Sequence, residues 1–541
     1  MHINLGLTRH MDQIPVDFYE KARQLGARLK KWNRDRPVLI VGHRDGDGIS
    51  AASVLYQSLR SLGFTKISTK ILLSPEPDIV CEVLTTTPHD YVITGDIGAG
   101  FESILKERVV DFIIADHHPN EPGLYGKHQL NPCEFHMNDE IDCSGSTIAT
   151  IIMLNVFPQD FWETDPGRVI LCYAIAGAVS DFQMTDGPIS VNKLISELAV
   201  NSGAVSMRKD ICLFGRGMYP VYIALYRSGI PCFQDMDACK ALLEGAFDPK
   251  INDYWKRIID LTQDEKKKFM ETVAIHLLRE ANLDINASDI ISGLINYVYD
   301  LEGLRGWDCT LLPDERRTLD AREILHRVNY VTRRGKAELA LQLLNKKNID
   351  NKVWNIIETH HRTGDQEVAT ALELYETGKI PIESWDDRVI MADFTGSIFY
   401  DEVGVIAGVI MKKHANIEIM LSYCEMEEEN VIKLSTRARD DIWNFIEMPS
   451  RKLSDAKEVY HAIRKKYPTK IFQFGGHRWA CSGYMKKEIA PELFKEMVKY
   501  CQTLKDASTV EPEEEQELEK SKGVKPKINI KTGQWTLDQF I

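Results

Sequence analysis

The sequence predicts an α/β protein that is built on a parallel sheet and followed by a second, smaller α/β domain. Three short apolar runs, at 37–42, 91–95 and 112–115, each end in acidic or histidine residues. Such runs are typical of buried strands whose carboxyl ends open into loops. Segments with helical periodicity separate them, and alternating strands and helices with short links favour a parallel sheet. The same alternation restarts at residue 386.

The elements of the amino-terminal part follow from local spacing. Residues 16–32 have the pattern of an amphipathic helix that leads into the first strand. The segment after Gly48 is again apolar at helical spacing, so the acidic loop before it is expected at a helix amino terminus. The other predicted elements are strands at 65–73, 91–98 and 111–118, and helices at 102–108, 144–157 and 171–180.

The motifs stop between about 200 and 320, where 221–229 and 291–301 are predicted to be helical. We interpret this stretch as a helical insertion, which is either an elaborated linker with its own small core or a surface that docks a partner. Beyond it, the second domain is predicted to contain strands at 388–394, 417–424 and 431–438, and helices at 402–413, 455–467 and 492–501.

Composition limits the class of protein. A chain of 541 residues with 44% hydrophobic content can bury two or three cores. No stretch approaches the roughly 20 apolar residues that span a membrane, and there is no signal-peptide core. Eleven cysteines without a CxxC pair favour reduced thiols, so we expect a cytoplasmic protein. The net charge of −14 argues against a uniformly basic nucleic-acid binder. It does not exclude a nuclease whose acids hold cations.

Six side chains follow the apolar runs and together suggest a metal site. Alone, each has an ordinary explanation: an aspartate after a strand is usually a helix cap or turn residue, and a lone histidine is usually structural. Together, four carboxylates at one sheet edge would repel one another unless a cation were bound. A mixed oxygen and imidazole set suits manganese or magnesium. The candidate ligands are His43, Asp45, Asp47, Asp96, His117 and Asp181.

Four motifs in this order, GHRDGDG, GDIG, ADHHPN and AVSD, resemble the signature motifs of the DHH phosphoesterase superfamily. Later segments are similar to a RecJ-type motif (326–342), to the S-x-R signature at 435–437 and to the GGH signature at 475–480 of the DHH-associated domain. The likeness spans roughly residues 35 to 500 and is closest to archaeal RecJ-like nucleases. It implies a DHH catalytic domain (1–200), the helical insertion (201–320), a helical connector (321–385), a DHH-associated substrate-binding domain (386–505) and a disordered tail (506–541).

The resemblance also implies roles for particular residues. Asp96 would bridge two divalent ions, with manganese preferred and magnesium as the alternative. His43 and Asp45 would complete one site, and Asp47, His117 and Asp181 the other. His118 would contact the scissile phosphate, Asp116 would orient its loop, and the small-residue turn at 144–147 would lie near the site. Substrate-binding residues would be Asn329, Arg333, Ser435, Arg437, Gly475, Gly476, His477 and Arg478.

Two of these residue types also support phosphate binding by themselves. The guanidinium of Arg437 can grip a phosphate with two parallel hydrogen bonds. Adjacent glycines before His477 let the backbone approach a ligand closely, although Gly-Gly-His could also form a tight turn.

The chain ends in a segment similar to the PIP box through which replication and repair proteins bind the PCNA sliding clamp. Gln534 would be its polar anchor, and Leu537, Phe540 and Ile541 its apolar turn. The family likeness further implies association with the GINS replication complex.

The function expected from these features is a manganese-dependent exonuclease. It would hydrolyse single-stranded DNA or RNA to mononucleotides in replication or repair. A phosphodiesterase for short oligonucleotides or cyclic dinucleotides, and a non-catalytic replisome scaffold, are the alternatives.

Overall fold

A computed structural model provides the structure of the protein. The described residues are 14–72, 77–120, 125–228, 230–233, 235–251, 253–280, 294–304, 320–345, 351–414, 416–427, 430–438, 456–467, 469–477 and 480–508. The chain divides into two compact units. The first comprises Met1–Pro220, Arg257–Ile259 and Asn296–His361, and the second comprises Val221–Lys256, Asp260–Ile295 and Arg362–Ile541.

The first unit is organised around a five-stranded sheet in which every neighbouring pair is parallel, as the sequence predicts. Its central strands are buried on both faces, which is typical of parallel sheets that helices cover on each side. The strand order is β2-β1-β3-β4-β5. The strands are β1 (Val38–His43), β2 (Ile67–Leu72), β3 (Tyr91–Gly95), β4 (Asp111–Ala115) and β5 (Gln129–Leu130).

Helices cover both faces of this sheet. The side chains of Val38 and Ile40 join the larger core, whereas those of Leu39 and Val41 join a second core on the opposite face. This alternation follows from the two-residue period of a strand. The helices are α1 (Val16–Leu29), α2 (Gly46–Ser61), α3 (Pro77–Thr86), α4 (Glu102–Arg108), α5 (Gly145–Leu154), α6 (Asp165–Ser180) and α7 (Ser190–Asn201).

Helix α6 is the central helix of the larger core. Its sequence is apolar all round, which suits a helix buried by neighbours on every side. Most of its residues from Gly167 to Val179 are buried. It packs against α2 and α5 and ends at Asp181, so the core helix fixes the position of that carboxylate.

The elements that follow are β6 (Ser206–Ile211), α8 (Val221–Tyr226), α9 (Met236–Glu244), β7 (Lys250–Ile251), β8 (Tyr254–Trp255), α10 (Gln263–Glu280), β9 (Ile295–Asp300), α11 (Ala321–Arg333), α12 (Ala337–Asn345) and α13 (Asn351–Glu376). The helix predicted over 291–301 is wrong, because its described part forms strand β9, which pairs with β6. Its isoleucine, valine and two tyrosines are typical strand residues. Arg216 also donates to Asp300 at the end of this strand.

A six-stranded mixed sheet forms most of the second unit. Its order is β10-β11-β12-β13-β15-β14, and the β11 and β12 pair is parallel whereas the other pairs are antiparallel. The strands are β10 (Ile382–Trp385), β11 (Val389–Asp393), β12 (Ile419–Glu425), β13 (Val431–Ala438), β14 (Ile471–His477) and β15 (Ala480–Lys486). The helices are α14 (Val403–Lys413), α15 (Ala456–Lys466) and α16 (Ala490–Ser508).

One alternative and one predicted boundary for this unit differ from the structure. The segment Gly475 to His477 is not a tight turn, since it completes β14 and pairs with β15. Helix α16 extends to Ser508, past the predicted start of the tail at residue 506. No helix within the described ranges is both long and apolar enough to cross a bilayer.

Candidate metal centre

The predicted site residues meet at the carboxyl edge of the parallel sheet. Strand β1 lies between β2 and β3. The chain passes from β1 to β2 on one side and from β3 to β4 on the other, so a crevice opens between the loops after β1 and β3. His43 ends β1, Asp96 follows β3, and the residues from Asp116 to His118 follow β4. Asp181 reaches the same place from the end of α6.

The interatomic distances define one cluster around Asp96. His43 Nδ1 lies 3.4 Å from Asp96 Oδ2 and 2.8 Å from Asp45 Oδ2. His117 Nε2 lies 3.1 Å from Asp96 Oδ1 and 3.7 Å from Asp181 Oδ2. Asp96 therefore has an imidazole against each of its two carboxylate oxygens.

Two groups of donors in this cluster could each hold a cation. His43 and Asp45 form the open half-site, and Asp47, His117 and Asp181 form the buried half-site. The donor atoms of the buried group, and those of the open group together with Asp96, lie within 4.8 Å of one another. The side chains of His43 and Asp45 are 25% and 46% exposed, whereas those of His117 and Asp181 are 3% and 11% exposed. The structure thus brings together the residues of each ligand set that the resemblance implies, and their role as metal ligands stays a prediction.

The surroundings of Asp96 fit a carboxylate that binds a cation. It is buried, and neither of its carboxylate oxygens accepts a hydrogen bond within the described part of the chain. Its backbone φ is 63°, a left-handed conformation that is uncommon outside glycine. A Cβ added at Gly145 would lie 2.4 Å from Asp96 Cβ, so a glycine is required beside it. A cation between the two half-sites would satisfy these buried oxygens.

Asp47 is held by the small-residue turn at the start of α5. Its carboxylate accepts hydrogen bonds from Ser144 Oγ at 3.0 Å, Gly145 N at 2.6 Å and Ser146 N at 3.1 Å. Burial, together with the negative charges of Asp96 and Asp181, raises the pKa of Asp47 well above its ordinary value. This repulsion among carboxylates is what a bound cation would remove.

His117 presents a defined ring nitrogen to the cluster. Its Nδ1 lies 2.7 Å from the carbonyl oxygen of Asp139 and donates to it, so Nε2 faces Asp96 and Asp181. Backbone carbonyls commonly orient metal-binding imidazoles in this way. Burial lowers the pKa of His117, but the Asp181 and Asp96 carboxylates outweigh burial and raise it well above the ordinary value. A metal ion at Nε2 would therefore replace a proton.

In the open half-site, burial and the charges of neighbouring residues again have opposite effects on the pKa values. Asp45 caps α2 by accepting a hydrogen bond from Gly48 N at 2.9 Å, and this bond fixes its carboxylate next to His43. Burial lowers the pKa of His43, but Asp45 and Asp96 outweigh burial and raise it to about 10. Burial raises the pKa of Asp45, but the charge of His43 and the hydrogen bonds from His43 and Gly48 together lower it below its ordinary value.

Asp116 and His118 lie beside the candidate metal ligands and are paired with each other. Asp116 Oδ1 is 2.9 Å from His118 Nδ1, and its Oδ2 accepts a hydrogen bond from Ala99 N at 2.8 Å. The nearby His118 outweighs burial and lowers the pKa of Asp116. The His118 side chain is 48% exposed, and its Nδ1 is 3.8 Å from Asp96 Oδ1. The Asp116 carboxylate thus orients the imidazole of His118, which remains accessible to a substrate.

Gln183 is a buried residue of the site that the sequence did not single out. Its Nε2 donates to Asp181 Oδ2 at 2.7 Å and to the Asp139 carbonyl at 3.0 Å, the same carbonyl that orients His117. Its Oε1 accepts from Asn192 Nδ2 at 2.9 Å. A lone glutamine carries no motif, so no sequence signal indicated this role.

The hydrogen bonds continue from Asn192 to the opposite side of the buried half-site. Thr147 Oγ1 donates to Asn192 Oδ1 at 2.8 Å and accepts from Ser144 N at 2.9 Å. Ser144 in turn holds Asp47. The buried half-site is therefore enclosed by a continuous chain of buried polar groups, whereas the open half-site depends mainly on the cap of α2.

Among the predicted substrate-binding residues of the first unit, Asn329 approaches the cluster. Its Nδ2 donates to Ser180 Oγ at 3.2 Å, next to Asp181. Arg333 lies one turn later on the same helix, α11, and is partly exposed. The spacing of four residues puts both side chains on one face of that helix.

In the second unit, Ser435 and Arg437 form a pair on β13. Arg437 Nη1 donates to Ser435 Oγ at 2.9 Å, and the serine is buried. Gly475 and Gly476 lie in β14. The predicted positions that lie outside the described residues are the His477 side chain, Arg478, Gln534, Leu537, Phe540 and Ile541.

The chain is similar to known proteins in sequence over one segment and in fold over most of its length. Residues 37–176 match the model of the DHH family, N-terminal domain. No curated protein matches the chain in sequence.

RecJ and Cdc45 are among the solved structures that share the fold. RecJ from Thermus thermophilus in complex with Mn²⁺ aligns with a TM-score of 0.52 and 14% identity, covering 92% of this chain and 56% of that one. Cdc45 from Entamoeba histolytica aligns with a TM-score of 0.51 and 10% identity, covering 89% of this chain and 97% of that one. The chain therefore spans just over half the length of that RecJ. The chain therefore shares the fold of these RecJ and Cdc45 structures, and its residues 37–176 resemble the N-terminal domain of the DHH family.

Proposed function

We propose that the protein is a two-metal phosphodiesterase that degrades single-stranded DNA or RNA as an exonuclease and prefers manganese. The observation that carries the proposal is the position of Asp96, whose two carboxylate oxygens each face an imidazole of a different half-site. The DHH-family match over 37–176 and the fold shared with a manganese-bound RecJ support it.

The donor set fits two divalent cations. His43, Asp45 and Asp96 would hold one ion, and Asp47, Asp96, His117 and Asp181 the other. Carboxylate and imidazole donors without a thiolate suit manganese or magnesium. A pair of bound cations would supply hydroxide near neutral pH and stabilise the entering and leaving oxygens of a phosphodiester.

The chain's own residues would bind and orient the substrate. The imidazole of His118 is the most exposed of the cluster, and the Asp116 carboxylate orients its ring. We therefore assign His118 to contact the scissile phosphate. A proton or hydrogen bond from this ring would assist departure of the leaving oxygen. We assign Asn329 and Arg333 of α11 to substrate binding, since Asn329 donates to Ser180 next to Asp181. In the second unit, Arg437, held by Ser435, would offer a planar donor to a phosphate.

The alternatives from the sequence use the same cluster differently. A phosphodiesterase for short oligonucleotides or cyclic dinucleotides would keep the chemistry with a smaller substrate. A non-catalytic replisome scaffold would keep the fold without turnover. The likeness to Cdc45 covers nearly the whole of that chain, and it concerns the fold alone.

The decisive experiment compares end-labelled single strands of DNA and RNA of one sequence with a dinucleotide, each with manganese and with magnesium. We expect a shortening ladder that ends in mononucleotides. D96N should reduce the rate by more than about a hundredfold, the loss that even outer partners of metal ligands reach. D160N, which alters an exposed carboxylate of the same unit, is the matched control and should keep full activity.

Each alternative has its own outcome in this assay. Cleavage of the dinucleotide without cleavage of long strands would replace the exonuclease with an oligonucleotide phosphodiesterase. If the wild-type protein binds metal but hydrolyses none of the substrates, the result would support the non-catalytic scaffold instead.

Proposals for partners rest on the sequence. Clamp binding through Gln534, Leu537, Phe540 and Ile541 concerns residues beyond the described ranges, and association with GINS derives from family likeness. A pull-down of PCNA by the intact chain, and its loss on truncation at residue 533, would test the clamp proposal.

A further inference from the structure

Three large apolar side chains are exposed on the segments that hold the buried half-site. Phe182, which directly follows Asp181, is 73% exposed, Ile141 is 44% exposed and Ile189 is 40% exposed. Single exposed apolar residues are ordinary on a protein surface. These three are of interest because of the segments that carry them. They are called the apolar patch below.

The segments that carry the apolar patch are joined to one another by buried hydrogen bonds. Gln183, the neighbour of Phe182, donates to the carbonyl of Asp139 at 3.0 Å. Asn192 donates through Nδ2 to the carbonyl of Ile141 at 3.2 Å and to Gln183 Oε1 at 2.9 Å. Ile189 lies one helical turn before Asn192. The patch is thus built on the framework that holds Asp181 and His117.

The backbone at Phe182 is a second, independent sign of a ligand. Its φ is 59°, in the left-handed region that a bulky side chain rarely adopts. Backbone strain of this kind persists only where the surroundings enforce it, and it clusters at ligand sites. Here the strained residue presents an aromatic ring to solvent beside a metal ligand, although a polar residue or glycine would be less strained and better solvated.

We propose that the apolar patch binds the base of the nucleotide whose phosphate meets the metal ligands, with Phe182 stacking on the base. The inference rests on the function proposed above and names a specificity element of that site. A nucleobase is a flat, largely apolar group that is covalently tied to a phosphate, so an aromatic ring fixed next to the phosphate site suits it. Stacking tolerates any base, because every base has a π face. A polyphosphate would make no use of such a patch.

The test is a cycle of two changes, F182A in the protein and an abasic residue in the substrate. The abasic site replaces the base at the nucleotide that is cleaved. For the wild-type protein we expect kcat/KM to fall by about 5- to 150-fold when the base is missing, which is the range of base–aromatic stacking. For F182A the same substrate change should have little effect, because the stacking partner is already absent. Most of the loss should appear in KM, and manganese affinity should be unchanged.

Two control variants separate loss of the ring from backbone effects and from a general effect of removing an exposed aromatic side chain. F182G removes the ring and also relieves the strained backbone, so it should reproduce the F182A result without loss of stability. Y254A removes an equally exposed aromatic ring, at 76% exposure, from β8 of the second unit and should behave as wild type.

The possible outcomes are distinguishable. Suppose that the wild-type protein hydrolyses strands, but removal of the base lowers kcat/KM by the same factor for F182A as for wild type. The apolar patch then does not bind the base, and this proposal fails while the proposed nuclease function is unaffected. If the wild-type protein hydrolyses no strand, the proposed function itself fails. A wild-type rate for F182A with both substrates would assign the patch to another occupant, such as a protein partner, and would likewise overturn this proposal.

Discussion

At the scale of single residues, the main feature of the site is that few hydrogen-bond donors surround the buried carboxylate of Asp96. Asp96 is buried, and among the described residues neither of its oxygens accepts a hydrogen bond. Its charge faces the imidazoles of His43 and His117 and, at 3.8 Å, that of His118. Asp47, by contrast, accepts three hydrogen bonds from the turn at α5. This difference explains why Asp96 suits a bridging position, since its oxygens have no competing partner.

Gln183 offers a test of how the buried half-site is held. Q183M keeps the volume but removes the donor to Asp181 and to the Asp139 carbonyl. We expect manganese affinity to fall by about 10- to 100-fold, as for other outer partners of metal ligands. Equilibrium dialysis of the metal-free protein against manganese would measure it.

Gln129 supplies the matched control. It is also a fully buried glutamine of the first unit, and its side-chain amide makes no hydrogen bond to a described residue. Q129M should leave manganese affinity unchanged. Equal losses in Q183M and Q129M would show a general effect of core substitution and would contradict a specific role for Gln183.

The residues with charge or imidazole chemistry were accessible to sequence reasoning, whereas those that only orient them were not. His43, Asp45, Asp96 and His117 follow predicted strands, and the carboxyl ends of parallel strands meet at one edge. Gln183 and Asn192 have no such marker, since their roles depend on the Asp139 carbonyl and on Thr147, which lie far away along the chain. A contact of this kind is a property of the packed core.

At the scale of elements, the close packing of α6 on α2 and α5 brings the ligands together. A Cβ at Gly177 of α6 would lie 2.3 Å from Asp47 Oδ1 and 2.2 Å from Ser146 Oγ. The absence of a side chain there lets the core helix approach the acidic loop. Helix packing and ligand geometry are therefore coupled at this residue.

This coupling predicts opposite effects for two glycine substitutions inside helices. G177A should destabilise the protein by about 1–3 kcal/mol through overpacking and should weaken manganese binding by moving Asp47. G408A in α14, where an added Cβ meets no atom within 4 Å, should stabilise by about 0.5–1 kcal/mol. Denaturant unfolding of both variants measures the signs. Stabilisation by G177A would contradict the packing argument.

Element prediction succeeded where burial and period agreed. Strands β1 to β4 and α6 have simple apolar patterns, and the structure has a strand or helix in each of these predicted segments. Strand β5 was not predicted, and α6 begins at Asp165, before the predicted start at residue 171. Strand β9 was predicted as a helix because Leu-Ile-Asn-Tyr-Val-Tyr is too short to distinguish a helical period from a strand period. In the structure its hydrogen bonds with β6 make it a strand. The strand that contains Gly475 and Gly476 was not predicted, because adjacent glycines usually mark turns. Its neighbour β15 supplies the hydrogen bonds that make it a strand.

At the scale of the whole molecule, the division into two units concentrates all six candidate metal ligands in the first unit. Metal binding should therefore stabilise one unit and leave the other unaffected. In the metal-free protein, the raised pKa values of His43 and His117 mean that the folded state holds more protons than the unfolded state. That contribution to stability is complete below the unfolded histidine pKa of about 6.5. It is lost as the pH rises toward the folded value of about 10 for His43.

Calorimetry with and without manganese at pH 6 and pH 8 tests both consequences. At a hundredfold excess over Kd the ion adds about 2.7 kcal/mol, which raises the Tm of a unit of this size by roughly 4–5 °C. We expect that shift in one of two unfolding transitions. Because the ion must displace protons from the imidazoles, the shift should be larger at pH 8, while the metal-free transition moves to lower temperature. D96N should remove the shift. A manganese effect on both transitions, or one of equal size at the two pH values, would contradict a metal centre confined to the first unit and closed by His43 and His117.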